Sequence, residues 1–444
     1  MKKLNPFRGL DNPREVWAWG MYDLANQSFT LLIITLLFPI YFKKVVVGDE
    51  ARGDALWSIA GSGSLLLVVL LSPFVGACAD AWGAKKKILM ITGALCAVLT
   101  IALGGLGAGD VAAAIVLFAA ANLCYQLGEN TLAGFLPEIA TARNIGRVSA
   151  TGWSMGYAGA LVLQIIVVVA MLTLGLKSES RWAPFFVLAG VWFALGMIAP
   201  AVVLRETPAR TLDPSAGSVF GAALSRLVGT ARQASHYKQL VRFLLAFFVY
   251  ALGVQTIIYF AGIIARDFGL VEEQLMIFAL QLTLTAGAAA IVTGFVQDRI
   301  GARTTVMIFL GVWIATALGL LALTLIPADV RADNQWAFWI VGNGVGIGLG
   351  GIGTASRSMV GRFTPRHKTA EFFGLWGMTY KFAGVVGVSS FGLVKAGIGE
   401  AASMGLLAGF FVVGLVLLVR VSESAGVRAA KRVDRDAAGA GGAS

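Results

Sequence analysis

Long apolar runs of about 20 residues or more, separated by short polar segments, account for most of the chain. The first extends from about Val16 to Phe42, and five more follow near 55–79, 88–107, 111–134, 147–174 and 182–204. About 35 polar residues from Arg205 to Gln239, with Pro208, Pro214 and Gly217 among them, then read as a linker on the membrane surface. Six further runs lie near 240–265, 274–297, 304–326, 336–359, 370–395 and 401–420. A helix of such length crosses a hydrocarbon layer of about 30 Å. The pattern predicts an all-α integral membrane protein with twelve transmembrane helices in two six-helix bundles, 1–204 and 240–421, joined by the linker 205–239. The first run is too long for a signal-peptide core of roughly 7 to 15 residues and stays as a helix. The tail 422–444 is Ala, Gly and charged residues with little to bury, and is expected to be disordered.

The two halves repeat one another. Gly76-Ala-Cys-Ala-Asp80-Ala-Trp-Gly83-Ala-Lys85-Lys86-Lys87 follows the second run, and Gly294-Phe-Val-Gln-Asp298-Arg299-Ile-Gly301-Ala-Arg303 follows the eighth. The pattern G-x-x-x-D-x-x-G-x-[KR] recurs 218 positions on (80 to 298, 83 to 301, 85 to 303). A second echo, Trp153-x-Met155-x-Tyr157 against Trp376-x-Met378-x-Tyr380, is shifted by 223 positions (153 to 376). A duplicated, pseudo-symmetric membrane half with a charged turn in each copy is the plan of a transporter.

Composition narrows the picture further. With 57% hydrophobic and 13% charged residues the chain is not an ordinary soluble globule. Cys78, Cys96 and Cys124 are odd in number and scattered through apolar runs, so they make neither a disulfide framework nor a spaced metal site. His236 and His367 stand in polar loops without a metal-ligand pattern, and no phosphate-cradling G-x-x-x-x-G-K-[ST] is present. No enzyme activity, metal or cofactor is expected, although the chain's carboxylates suit a coupling proton. The net charge of +11 sits at helix ends rather than on one basic face, which argues against nucleic acid. With the N-terminus inside, roughly 26 basic residues fall on that side against about 8 on the other, so both termini are expected in the cytoplasm of an inner-membrane protein. The expected partners are a small-molecule solute and the lipid bilayer, with no obligatory protein partner.

Two six-helix halves, a central loop and the paired charged motif together resemble the major facilitator superfamily. Within it, Trp17-Ala-Trp-Gly-Met-Tyr22-Asp23-Leu-Ala-Asn26, Leu136-Pro137-Glu138-Ile139-Ala140, Gly146-Arg147-Val148-Ser149 through Tyr157, and Ala370-Glu371-Phe372-Phe373-Gly374 through Lys381 are similar to the branch of fungal autophagy-related vacuolar amino-acid effluxers and their bacterial relatives. The resemblance implies alternating access and, for the fungal members, export of neutral amino acids. Leu132-Ala133 stands where that branch leads one to expect a Tyr-Asn pair.

In the charged motif, an acid at the C-terminal end of a helix opposes the helix dipole, so Asp80 should need a partner. Lys85 is one candidate; the resemblance supplies another in the start of the eleventh helix at Ala370 to Phe373. Gly76, Gly83, Gly294 and Gly301 allow tight turning and close approach, while Lys85, Lys86, Arg299 and Arg303 add basic groups and Asp298 repeats Asp80. The motif reads as a gate that biases conformations rather than as a solute site.

Ionisable residues within the bilayer cost about 2.5 to 3.5 kcal/mol each at a helix centre and mark function by default. Asp23, Asn26 and Gln27 share one face of the first helix, and Asn122, Gln126, Glu129 and Asn130 form a polar stripe on the fourth. Gln255, Asn343 and Arg357 add polar groups on the seventh and tenth. Lys381, deep in the eleventh helix, reads as the only buried ammonium, with Asp23 or Glu129 as expected partners. A zwitterionic solute would set its carboxylate on Lys381 or Arg357, its ammonium on Asp23 or Glu129, and its side chain against Tyr22, Tyr157, Tyr250, Tyr259 or Tyr380. A desolvated carboxylate can trade protons near neutral pH, Glu129 first and Asp23 second. The expected function is secondary transport of a small polar metabolite such as an amino acid, with efflux preferred through the resemblance. Transport of an amphiphile, drug-like compound, or lipid or cell-wall fragment is the rival reading, and a transporter-shaped receptor or assembly factor without flux is another.

Overall fold

The structure, a computed structural model, describes residues 7, 10, 12–140, 145–206, 229, 237–327, 330, 335–365 and 369–441. The linker stretch, apart from its ends and residue 229, lies outside the described residues, as do His236 and His367. Among the described residues twelve long helices follow one another: α1 Pro13–Val47, α2 Glu50–Trp82, α3 Lys85–Leu103, α4 Val111–Ile139, α5 Ile145–Thr173, α6 Ala183–Val203, α7 Lys238–Asp267, α8 Glu272–Ile300, α9 Ala302–Thr324, α10 Gln335–Phe363, α11 Thr369–Gly397 and α12 Glu400–Val419. Eleven helices among the described residues are long and apolar enough to cross a membrane. The remaining one, α11, is 29 residues long and carries Lys381 near its middle.

The ends of these helices follow from local chemistry. Pro13 sits in the first turn of α1, where its missing N–H costs nothing. The Asp49 carboxylate accepts from the Arg52 amide at 2.7 Å and starts α2. That helix stops at Gly83, whose φ of +56° suits a residue without a Cβ. In α1, wider π-helical turns occupy Phe29–Leu36 and Phe42–Val47, on either side of a short α-helical segment containing Pro39.

Packing divides the chain into two compact units, Met1–Leu224 with Tyr259–Leu280, and Ser225–Ile258 with Gln281–Ser444. In the first, α1 lies on α5 and α6, and α4 packs against α2 and α3. A cluster of rings fills one region of it, with Trp57 4.5 Å from Phe118 and Phe38 5.3 Å from Phe186 between centroids. In the second, α9 packs on α10 and α12, and Trp313 stacks on Phe411 at 4.8 Å. Lipid is as apolar as leucine, so such contacts hold by dispersion and close approach rather than by expelling water. Gly159 of α5 shows the closeness: a Cβ there would run into the Leu24 backbone of α1. Outward faces are apolar as well, with Leu66, Leu67 and Leu70 exposed on α2 and Val162, Ile165 and Val169 on α5.

The tail departs from the expected disorder. A thirteenth helix, α13 Glu423–Gly441, follows α12 and packs against α10. Its composition is poor in large apolar residues, but Gly426 and Ala430 share a face that fits closely: Ala430 is buried and Gly426 rests against the Phe363 ring. Small residues suffice when the partner surface is already built.

Candidate functional site

The polar centre of the first unit is assembled by α1 and α4. Asn26 is fully buried and its side-chain amide donates to the Glu129 carboxylate, while the Gln27 side-chain amide donates to Asn26 Oδ1 at 3.3 Å. One turn on, the Thr30 hydroxyl donates to the Tyr125 hydroxyl at 2.7 Å, and the Tyr125 ring stacks on Phe29 at 5.1 Å. Asp23 lies on the side of α1 that faces α5, where a Cβ at Gly152 would stand 3.0 Å from a carboxylate oxygen. An amide bonded to a carboxylate is worth about 1.5 to 3 kcal/mol and fixes its direction. Asn26 therefore orients Glu129.

The stripe expected on α4 divides. Asn122 donates to the Ser64 hydroxyl at 2.7 Å and to the Tyr259 hydroxyl at 2.9 Å, deep in the unit. Asn130 is exposed and donates to Ser72 on α2 at 2.8 Å, because the 100° step from Glu129 turns it off the shared face. Gln126 and Glu129 are half-buried between them. Of the expected aromatic walls, Tyr22 and Tyr259 are buried and Tyr157 packs beside Trp153 at 6.0 Å.

In the second unit the polar groups sit among rings. Gln255 of α7 donates to the Tyr380 carbonyl at 3.3 Å, and the hydroxyls of Tyr250 and Ser356 are 2.7 Å apart. Phe247 packs on Trp376 at 5.3 Å and on Tyr380 at 5.8 Å. Arg357 and Lys381 are half-buried. Asn343 bonds the Trp339 carbonyl of its own helix at 3.0 Å, which satisfies it locally.

The two charged turns are built alike, by residues that the repeat alone does not reveal. After Gly83, the amides of Lys85 and Lys86 donate to the two carboxylate oxygens of Glu206, just beyond α6, the second at 3.1 Å. After Gly301, the amides of Ala302 and Arg303 donate to the Glu423 carboxylate at 3.2 and 2.9 Å. An anion at the exposed amides of a helix start is favourable by charge and by hydrogen bonding. Glu206 and Glu423 are 217 positions apart (206 to 423), one short of the 218 that separates the two turns. Lys85 pairs with Glu138 at 2.8 Å, and Arg362 pairs with Glu423 at 2.9 Å. Arg303 donates to the carbonyls of Leu418 and Val419, the latter at 2.8 Å. Arg299 is exposed, as is Gly76 within α2, and Gly294 lies within α8. The side chains of Asp80, Asp298 and Glu371 lie outside the described residues.

Lys381 is not the most deeply buried ammonium. Lys43, at 3% exposure, holds that place among the described residues, set 3.2 Å from Asp54 and 3.3 Å from Asp267. It escapes a sequence reading because Lys43-Lys44 looks like the polar edge of the first run. Beside it Arg266 pairs with Glu179 at 2.6 Å, and Lys177 with Glu273. Burial works to raise the Glu179 pKa, but its backbone hydrogen bond and the charges of Arg266 and Lys44 outweigh that and hold it below the usual carboxylate value.

Residues 46–146 and 141–431 match the family described as vacuole effluxer Atg22 like. The chain belongs to this family. It is 24% identical over 417 residues to the uncharacterized MFS-type transporter YxiO of Bacillus subtilis, covering 91% of this chain and 94% of that protein. It is 24% identical over 302 residues to autophagy-related protein 22 of Yarrowia lipolytica, covering 63% of this chain and half (50%) of the fungal protein. Among solved structures, a mutant of the nucleoside transporter NupG superposes with a TM-score of 0.70 at 12% identity, covering 92% of this chain and 98% of that one. A D-xylose-proton symporter does so with a TM-score of 0.70 at 13% identity, covering 93% and 98%. This Atg22-like chain thus has the major facilitator fold and is a multi-pass membrane transporter rather than an enzyme.

Proposed function

We propose that this Atg22-like transporter exports a small zwitterionic metabolite, a neutral amino acid or close relative, across the inner membrane by alternating access. Both termini lie on the cytoplasmic side, in keeping with the excess of Lys and Arg there. The observation that carries the reading is the hydrogen-bonded group of Asn26, Gln27 and Glu129 held within an apolar bundle. A carboxylate kept in that setting suits an ammonium group, and Asn26 orients it. Glu129 also serves as the site of a coupling proton, with Asp23, one turn before Asn26 on α1, as the second choice. Within the second unit, taken by itself, Arg357 and Lys381 are half-buried basic groups of a kind that suits a carboxylate, and Phe247, Trp376 and Tyr380 form an apolar wall.

The test is a thermal-shift screen of the purified protein against amino acids, peptides, sugars and amphiphiles, since a ligand of the folded state raises the melting temperature. Neutral amino acids should raise it, and Glu129→Gln should remove the rise. Stabilisation by amphiphiles alone would overturn the choice of solute.

A further inference from the structure

Only the short segment 420–422 separates α13 from the end of α12, so its start stands at the membrane boundary. One face is fixed to the second unit. Glu423 holds the start of α9 and Arg362, the Ser422 amide donates to Gln239 at 2.8 Å, and Gly426 rests on Phe363. Farther along, the Asp434 carboxylate is near enough to Tyr237 to add to the effect of burial in raising that phenol's pKa. Both of these acids are therefore turned toward the bundle.

The opposite face is basic. Arg428, Lys431, Arg432 and Arg435 are all exposed, and at 100° per residue they fall within a stripe about 100° wide. No acid shares that stripe among the described side chains. Basic residues that merely orient a neighbouring span need only be on the right side of the membrane, whatever way they face. Here they are sorted onto one face of a docked helix, and the two acids whose side chains are described, Glu423 and Asp434, onto the other.

We propose that this face of α13 binds the headgroups of anionic phospholipids and that the binding steadies the seating of Glu423 at the α9 turn. Each Lys or Arg near an anionic leaflet adds to the attraction, which fades within a Debye length. Four such residues share one face of a helix that begins three residues beyond α12, so the attraction requires only that this face meet the leaflet. Because Glu423 is in the first turn of the same helix, fixing α13 to the lipid surface also fixes the carboxylate that starts α9 and pairs with Arg362.

The test uses the full-length protein in nanodiscs of phosphatidylcholine alone or with about one third phosphatidylglycerol, and reads hydrogen exchange over Glu423–Gly441. Anionic lipid should slow exchange in α13 by about tenfold, and high salt should reverse the gain. The variant R428Q/K431Q/R432Q/R435Q keeps good helix formers and should lose the gain, whereas R428K/R432K/R435K should retain it. Equal exchange in the two nanodiscs overturns the proposal, as does a gain that survives in the glutamine variant or vanishes in the lysine one. Protection that appears on adding polyglutamate but not phosphatidylglycerol overturns it too, and assigns the face to an acidic protein.

Discussion

The two charged turns have the same backbone plan and opposite ion-pair logic. In each, a glycine with positive φ ends one helix or starts the next, and a glutamate from beyond the sixth helix of that half binds two amides. In the first turn the tasks are divided: Glu206 binds the amides, while Glu138 from the end of α4 pairs with Lys85. In the second they converge on Glu423, which binds the amides and also pairs with Arg362 from the end of α10. The corresponding helix end thus supplies an acid in one half and a base in the other. Duplication preserved the hinge and left the charges free to diverge. One carboxylate carrying two tasks is the more sensitive point.

The effects of breaking these contacts can be ranked, with the buried Lys43 as the upper reference. Lys43→Met leaves Asp54 and Asp267 without the ammonium between them, and breaking a buried pair costs about 3 to 5 kcal/mol. It should lower the melting temperature in detergent more than any variant of either turn. Gly301→Ala comes next. Its φ of +89° with ψ of 149° is a region essentially reserved for glycine, and a Cβ would stand 3.1 Å from the Glu423 carboxylate. Gly83→Ala, at φ +56° and ψ 42°, should cost only about 1 kcal/mol, and equal melting of the two would break the comparison.

Glu423→Gln should cost about 2 kcal/mol and Glu206→Gln about 1, because only the former loses an ion pair along with the charge at the amides. A double-mutant cycle sharpens this: Arg362→Gln should couple to Glu423→Gln and be additive with Glu206→Gln. Coupling in both, or in neither, would show that the tasks are not divided as described. The smallest effect is expected away from both turns. The Glu179 pKa is depressed in the folded protein, so its contribution is present above the ordinary carboxylate pKa and lost as pH falls through the folded value. Melting curves between pH 7 and strongly acid pH should show that loss in the wild type and less of it in Glu179→Gln.

Much of the architecture was legible in the chain because membrane helices declare themselves by length and apolarity, and because the hinge glycines repeat at constant spacing. The carboxylates that complete the turns were not. Glu206 and Glu423 are single acids in polar segments, where no periodicity marks them. Lys43 was hidden by lying at the end of an apolar run, with its partners 11 residues on at Asp54 and far off at Asp267. The polar stripe of α4 was legible as a set, but the one-residue step that sends Asn130 toward Ser72 required the packing of α2 to be known. The tail misled for the opposite reason, since Gly and Ala suggest disorder until a surface such as Phe363 is present to receive them.

The central claim is that the protein moves a small zwitterion past Glu129. Counterflow of a radiolabelled neutral amino acid in proteoliposomes measures it most directly. The wild type should accumulate label well above protein-free liposomes, excess unlabelled amino acid should abolish the signal, and Glu129→Gln should cut it by about tenfold or more. Label uptake no greater than in protein-free liposomes, with the protein folded and correctly inserted, would contradict the account.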